Sequence, residues 1–345
     1  MSVESLKVPV THAYVRPRTW TTYRSMIRES MVMGIVAFLV SFIFALFLVL
    51  HYHIVYGDAL TRVLNAYYVI FRGNLHVAGI GFVWNPFPSL FELPFVMLHG
   101  LWTPILVDGL PANMVSSIFA GISVYYCNKT FQLFGISCPF RIIWSILFML
   151  NPMMLLYGAN GMSDSMMIGA FIAATEGALR FYKTQDLSAL LATGMWLAVG
   201  LGLRYEAVPF ATFLIAGLAI AMWRDRIRYS KIEGTVAILL FPIVCAGIVW
   251  MILNWMIMHN PLYFLNSQYG NSAQIAQGTY VTGLTTYADG NIWNAVVAAF
   301  GFTKLFLPIV ITIPLIFLIA LFSRRHHDGW IIVLATASVP LFRKR

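Results

Sequence analysis

The sequence predicts an all-α, polytopic transmembrane helical bundle, and three observations carry that expectation. Of the 345 residues, 60% are apolar and only 10% are charged, with a mean hydropathy of +0.78. A water-soluble domain carries about 25% charged residues to cover its surface, so this chain lacks the charge for one. The apolar residues come in long unbroken runs rather than amphipathic stripes, so a large soluble core does not account for them. Finally, no ten-residue alternating barrel pattern appears, and open sheet edges cannot sit in lipid, which leaves helices.

Residues 1–29 are polar and basic and read as a cytoplasmic segment. Residues 30–345 then read as one transmembrane domain. The clearest span is 31–50, twenty residues without a charge, because about 20 apolar residues at 1.5 Å each cross a slab of roughly 30 Å. It is too long for a signal-peptide core and reads as a signal anchor. Residues 234–258 make a second span, and 292–322 a third, interrupted only by Lys304. Shorter or polar-punctuated candidates are 112–126, 142–157, 165–179, 189–203 and 208–223. A last apolar stretch, 330–342, ends at Arg343-Lys344-Arg345, as if another span were cut short. The total is about eight to ten membrane segments. Cys127, Cys138 and Cys245 form no disulfide framework or metal pattern.

The net charge of +9 is unevenly distributed. Lys7, Arg16, Arg18, Arg24 and Arg28 precede the first span. Arg180 and Lys183 follow a later one, Arg224, Arg226, Arg228 and Lys231 form the densest cluster, and Arg324-Arg325 close another span. Residues 259–291 contain no Lys or Arg. Positive loops stay in the cytoplasm, so the basic clusters and the N-terminus face in. The high pI then needs no nucleic-acid partner. Four segments face out: 51–88, 157–164, 204–206 and 259–291. If Asp58 and Asp164 face out while Lys129 and Arg141 face in, residues 89–108 must cross an even number of times, by re-entry or in two short crossings.

Ionisable residues beside an apolar slab are costly and mark candidate sites. Asp58 follows the first span by about two turns, and Gly57-Asp58 reads as the start of an interfacial helix running to about Phe71. Arg62 stands at i+4, a favourable pairing distance. Asp58 is a general base on one reading and a helix cap on the other. Asp164 follows the turn Gly158, Gly161, Ser163, where an acid also suits a helix start. Arg204-Tyr205-Glu206 separates two apolar helices, either as a closed ion pair or as a phosphate-binding cation oriented by a carboxylate. The stretch 260–269, with Tyr263, Asn266 and Tyr269, mixes aromatics and amides without charge. That mix suits stacking on a sugar ring, or an interfacial aromatic belt. His51 and His53 lack a third ligand and read as interfacial.

The order of these features resembles the GT-C superfamily of membrane glycosyltransferases. It runs from an acidic residue in the first outer loop, through an Asn-Gly-Met-Ser-acidic turn and Arg-Tyr-Glu between helices, to Asn-Pro-Leu-Tyr-Phe opening a later outer loop. This group uses polyprenyl-phosphate sugars and includes protein O-mannosyltransferases, aminoarabinose transferases and GPI-type mannosyltransferases. The resemblance covers residues 30–290. It implies a GT-C-like bundle with short interfacial helices in the first outer loop. The implied donor is a sugar (mannose or another hexose) on a polyprenyl phosphate in the membrane lipids, and the acceptor a lipid, glycan or protein. Asp58 is implied as the general base of an inverting transfer, with Asp164 and Glu206 as supporting acids. Arg204 and Arg62 would bind the lipid phosphate, and Tyr205, Tyr263, Asn266 and Tyr269 the sugar or acceptor. No cofactor is required; a divalent cation is compatible with the chemistry, but no ligand cluster stands out. Family members often have Glu where this chain has Asp164, and are usually longer. A transporter or lipid flippase, and a catalytically inactive subunit of the same fold, are the competing expectations.

Overall fold

A computed structural model describes residues 20–73, 76–102, 104–268 and 328–337, with isolated positions between 273 and 297. The described residues form helices and no strands. In chain order these are α1 (Trp20–Tyr52), α2 (Gly57–Phe71), α3 (Phe87–Val96), α4 (Pro104–Val107), α5 (Leu110–Leu133), α6 (Cys138–Met149) and α7 (Pro152–Ala159). There follow α8 (Ser163–Thr184), α9 (Leu187–Leu203), α10 (Ala207–Arg224), α11 (Tyr229–Met258), the short α12 (Tyr263–Asn266) and α13 (Gly329–Ala337). Among the described residues, α1, α10 and α11 are long and apolar enough to cross a membrane. The pair α6–α7 would make a fourth span, bent by 61°. The bend falls where Pro152 cannot continue the preceding hydrogen-bond ladder and Asn151 caps the new helix by accepting from the backbone N–H of Met153 and Met154. The expected span 292–322, isolated positions apart, and residues 338–342 of the last stretch lie outside the described residues.

Several helices run further than their apolar stretches predict, and α5 and α8 show why. The stretch 112–126 becomes α5, which continues to Leu133 because its polar end is satisfied. Asn128 accepts from Ser30 at 2.7 Å and donates to Ser145 at 3.3 Å, and Gln132 donates to the Met26 carbonyl at 3.0 Å. The stretch 165–179 becomes α8, whose last turns carry Glu176, Arg180 and Lys183 in ion pairs. Residues 89–108 contain only α3, α4 and a 3-10 turn at Met97–Gly100. The ten residues of α3 reach about 15 Å, half the slab.

Close backbone approach locks the first helices together. A Cβ on Gly121 would lie 2.7 Å from the carbonyl oxygen of Gly34, so α1 and α5 touch backbone to backbone. The helix α2 is amphipathic. Ala59, Val63, Ala66 and Val69 bury one face, and the first three pack with Val96 of α3, Ala112 of α5 and Met162. Its opposite face, with Asp58, Thr61 and Tyr68, is exposed. The turn before α8 is fitted between α2 and α5: a Cβ on Gly161, which has φ +74, would meet Ala112 and Ala59 at 2.9 and 3.0 Å. Ser116 and Ser117 each donate to the Gly158 carbonyl at 2.9 Å, and Asn113 donates to that of Ala159. α2 and the 157–164 turn are thereby held beside one another.

Candidate functional site

Asp58, Arg62, Asp164, Arg204 and Glu206, singled out in the sequence, gather at the end of α8 that carries Asp164. Arg204 follows α9 in extended backbone. Its Nη1 lies 3.1 Å from Asp164 Oδ1 and 3.5 Å from Ser163 Oγ. Its Nη2 and Nε lie 2.9 and 3.3 Å from the two oxygens of Glu206. Burial works against this guanidinium's charge, but hydrogen-bonded Glu206 and nearby Asp164 outweigh it and raise the group above its ordinary range. The Arg204–Glu206 pair is thus closed, and Asp164 joins it. One cation between two carboxylates is a frame that ties α8 to the α9–α10 turn.

Tyr205 turns the other way. Its hydroxyl accepts from Trp250 Nε1 at 3.2 Å, and its ring stacks on Phe264 at 5.1 Å. Trp250 in turn stacks on Phe82 at 5.3 Å, with planes 7° apart. Burial pushes the Tyr205 phenol above its usual range, with the Trp250 bond opposing. This aromatic file joins α11, the 81–86 stretch and the start of the 259–268 loop. Tyr263 is half-buried in α12 and Asn266 is exposed at its end; Tyr269 lies outside the described residues. His51 stacks on Phe47 and meets Tyr52 edge-on. Among the described residues no three His, Cys, Asp or Glu side chains group as metal ligands.

Asp58 is exposed in the first turn of α2, and the cap position belongs to Tyr56, which makes no side-chain cap bond. The cap reading is therefore set aside. Arg62 does not close the i,i+4 pair: it feels Asp58 electrostatically, after Glu92 and Arg204 and ahead of Asp164. Its Nε and Nη1 are buried without a hydrogen-bond partner, and its guanidinium lies 5.6 Å from the centre of the Trp84 ring. Burial, the largest influence, pulls Arg62 below its ordinary value while Glu92 opposes.

The residue sequence reasoning missed is Glu92. It sits on α3, fully buried, with neither carboxyl oxygen bonded. Burial pushes it well above the ordinary carboxylate range, and Arg62 only partly restrains it. The signal was available, since Glu92 is the lone charge in the apolar run 77–107. α3 is placed by Asn85, which donates to the Leu201 carbonyl at 2.6 Å, and by Gly202, where a Cβ would lie 2.5 Å from the Phe87 ring.

Charged side chains from α2, α3, α8 and the α9–α10 turn therefore share one end of the bundle, beside an amphipathic helix. No family model matches this chain, and neither a curated protein nor a solved structure matches it.

Proposed function

We propose that the protein is an integral, multi-pass membrane glycosyltransferase of the GT-C type, with its N-terminus in the cytoplasm, moving a hexose from a polyprenyl phosphate to an acceptor hydroxyl at the outer face. The observation that carries this reading is the gathering of Asp58, Arg62, Asp164, Arg204 and Glu206 at one end of α8, from three segments that the charge pattern assigns to one side. An exposed carboxylate and a buried guanidinium whose Nε and Nη1 make no hydrogen bond are what a reaction on a lipid-borne anion needs.

In this mechanism the acceptor oxygen attacks the anomeric carbon, and the bond from that carbon to the phosphate oxygen breaks with its electron pair. The hydroxyl proton passes to Asp58, as a positioned carboxylate allows, and then to water, which Asp58 meets directly. The leaving group is the lipid phosphate, whose charge Arg62 stabilises in a low-dielectric site. Arg204, already bound by two carboxylates, orients the site with Asp164 and Glu206. One displacement inverts the anomeric centre; retention would need a second carboxylate acting as nucleophile. The rings of Tyr205 and Tyr263, with the amide of Asn266, flank the sugar or acceptor. No step requires a metal.

A transporter would share the bent α6–α7 pair, because broken helices near the midplane carry transport sites. Here the break holds Asn151, which spends its side chain capping α7, and the charges lie at the helix ends. The deciding assay incubates purified protein with a mannosyl phosphoprenol and follows loss of donor. Wild type consumes it and Asp58→Asn does not, with at least a hundredfold fall in rate, on the order of what a general base contributes. Intact donor with wild-type protein across hexoses, or near-normal turnover by Asp58→Asn, sinks the proposal.

A further inference from the structure

Arg62 and Glu92 are opposite in charge and each other's strongest electrostatic partner, yet no ion pair joins them within 4.0 Å. Both are sealed from solvent at the atoms that matter: Nε and Nη1 of Arg62 and both oxygens of Glu92 lack partners. Buried polar groups are nearly always bonded, and an orphan costs roughly 1–3 kcal/mol. Four orphans in one place describe a site waiting for a group that the protein does not supply.

We propose that Arg62 and Glu92 together bind the phosphate group of a membrane lipid, Arg62 donating through its guanidinium N–H groups and Glu92 through its carboxyl proton. The lipid identity rests on the glycosyltransferase reading above; the anion site does not. A phosphate has oxygens enough for all these donors, where a carboxylate has two. A phosphodiester carries one negative charge, so with Arg62 charged and Glu92 neutral the site is electrically balanced. An ionised Glu92 would instead set a carboxylate against the phosphate. Admission requires α2 to move off α3. Ala59, Val63 and Ala66 of α2 meet Leu93 and Val96 of α3 in an apolar cluster that also holds Tyr67, Leu106, Ala112 and Met162, so among the described residues parting them breaks no side-chain hydrogen bond between α2 and α3.

Binding is then linked to a proton. Arg62 is the charged neighbour of Glu92, and Arg62 in turn feels Arg204, Asp58 and Asp164. Arg204 is held between its two carboxylates. As pH rises through the raised Glu92 value, the donor proton is lost and affinity falls by about tenfold per pH unit, the limit for one linked proton.

The test measures equilibrium binding of a short-chain mannosyl phosphoprenol to the purified full-length protein in detergent. It uses an Asp58→Asn background so that no donor is consumed. A diester is chosen because a monoester titrates itself near pH 6. The proposal expects affinity to fall with pH when Glu92 is present. Glu92→Gln, whose amide donates without titrating, binds within about threefold of the low-pH protein and is pH-independent. Glu92→Ala loses about tenfold, a bond to a charged group, and Arg62→Ala loses binding. Glu92→Gln, a neutral group of the same size, should melt with the low-pH parent, so that its binding changes are not changes of fold. If the parent and Glu92→Gln share one pH profile, the site is overturned. Inorganic phosphate that competes as strongly as the lipid overturns the lipid assignment. pH-linked binding without turnover by the wild type would sink the enzyme reading and leave this site standing; turnover with binding indifferent to Glu92 would do the reverse.

Discussion

The two ends of α8 carry similar residues and use them differently. Asp164 and Lys183 are nineteen residues apart on one helix, about 28 Å and close to the thickness of the hydrocarbon slab. At the Lys183 end the charges lie in ion pairs, although Glu176 and Arg180 Nε, like Glu92 and the Nε and Nη1 of Arg62, make no hydrogen bond. Arg141 grips Glu29 at 2.6 and 2.9 Å, Lys183 lies 3.1 Å from Asp328, and Glu176 is flanked by Arg180 at 3.4 Å and Lys129 at 3.5 Å. The Tyr182 hydroxyl donates to Asp225. At the Asp164 end one cation is saturated, Arg204, and a buried pair a short distance away, Arg62 and Glu92, is left apart. Answered charges brace helices; unanswered ones store free energy that a ligand can release. On the proposed function, the difference separates the end that braces the fold from the end that serves the reaction.

The largest effect expected is at Arg204, where the two uses meet. Arg204→Ala leaves Asp164 and Glu206 facing each other without a cation. Stability should fall by roughly 2–4 kcal/mol, as when one partner of a partly buried ionic cluster is removed, and donor consumption should be lost with it. A melting curve and the donor assay on the same preparation read both; a variant that keeps its melting temperature would show that the frame is not a frame.

The sharper contrast comes from one substitution made at each end. Arg141→Leu strips the bidentate partner of Glu29 and should lower stability by about 2–3 kcal/mol, less than for a fully sealed pair, while turnover per folded molecule stays near normal. Arg62→Leu should do the opposite. It removes two orphaned donors, so stability holds or rises by roughly 1 kcal/mol, and lipid-phosphate binding and turnover disappear. Equal losses of stability from the two would erase the distinction between the ends. Between them lies the α1–α5 contact, which belongs to neither: Gly121→Val puts methyl groups where the Gly34 carbonyl stands and should cost on the order of 1–3 kcal/mol, lowering yield without changing the pH profile of either end.

Much of the fold, and several residues of the candidate site, were legible in the sequence. Charge scarcity and run length point to apolar helices, and α2 begins and ends where Gly57-Asp58 and Phe71 suggest. Asp58, Asp164 and Arg204 are conspicuous because a charge beside an apolar run is expensive. Length was misjudged where polar residues are satisfied across the chain: no local pattern tells α5 to continue through Asn128 and Gln132, since their partners are about a hundred residues away. The same holds for Arg62. Sequence spacing offers it Asp58 at i+4, and only the packing of α3 against α2 reveals Glu92 as its stronger neighbour. Whether a charge is answered is a property of three-dimensional contact, and the two ends look alike until the contacts are known.

The smallest effect, and the finest test of the comparison, is the sign of the pH dependence of folding at each end. Asp186 caps α9 at the Lys183 end, accepting from Ser188 N at 3.0 Å and Ser188 Oγ at 2.7 Å. Those hydrogen bonds hold its carboxyl below the ordinary aspartate range, with Arg180 assisting. A depressed acid stabilises the fold at neutral pH and loses that contribution as pH falls below the usual aspartate value. Glu92 has its value raised by burial, so its contribution is intact below the usual glutamate value and is lost as pH climbs toward the raised one. Asp186→Ala should therefore destabilise by about 1 kcal/mol, the worth of a helix cap, and flatten the acid limb of a stability–pH curve. Glu92→Gln should flatten the opposite limb and leave the acid one alone. Both variants acting on the same limb would mean that the carboxyls of the two ends are held in the same way, and the contrast between answered and unanswered charge would fail where it is most directly measured.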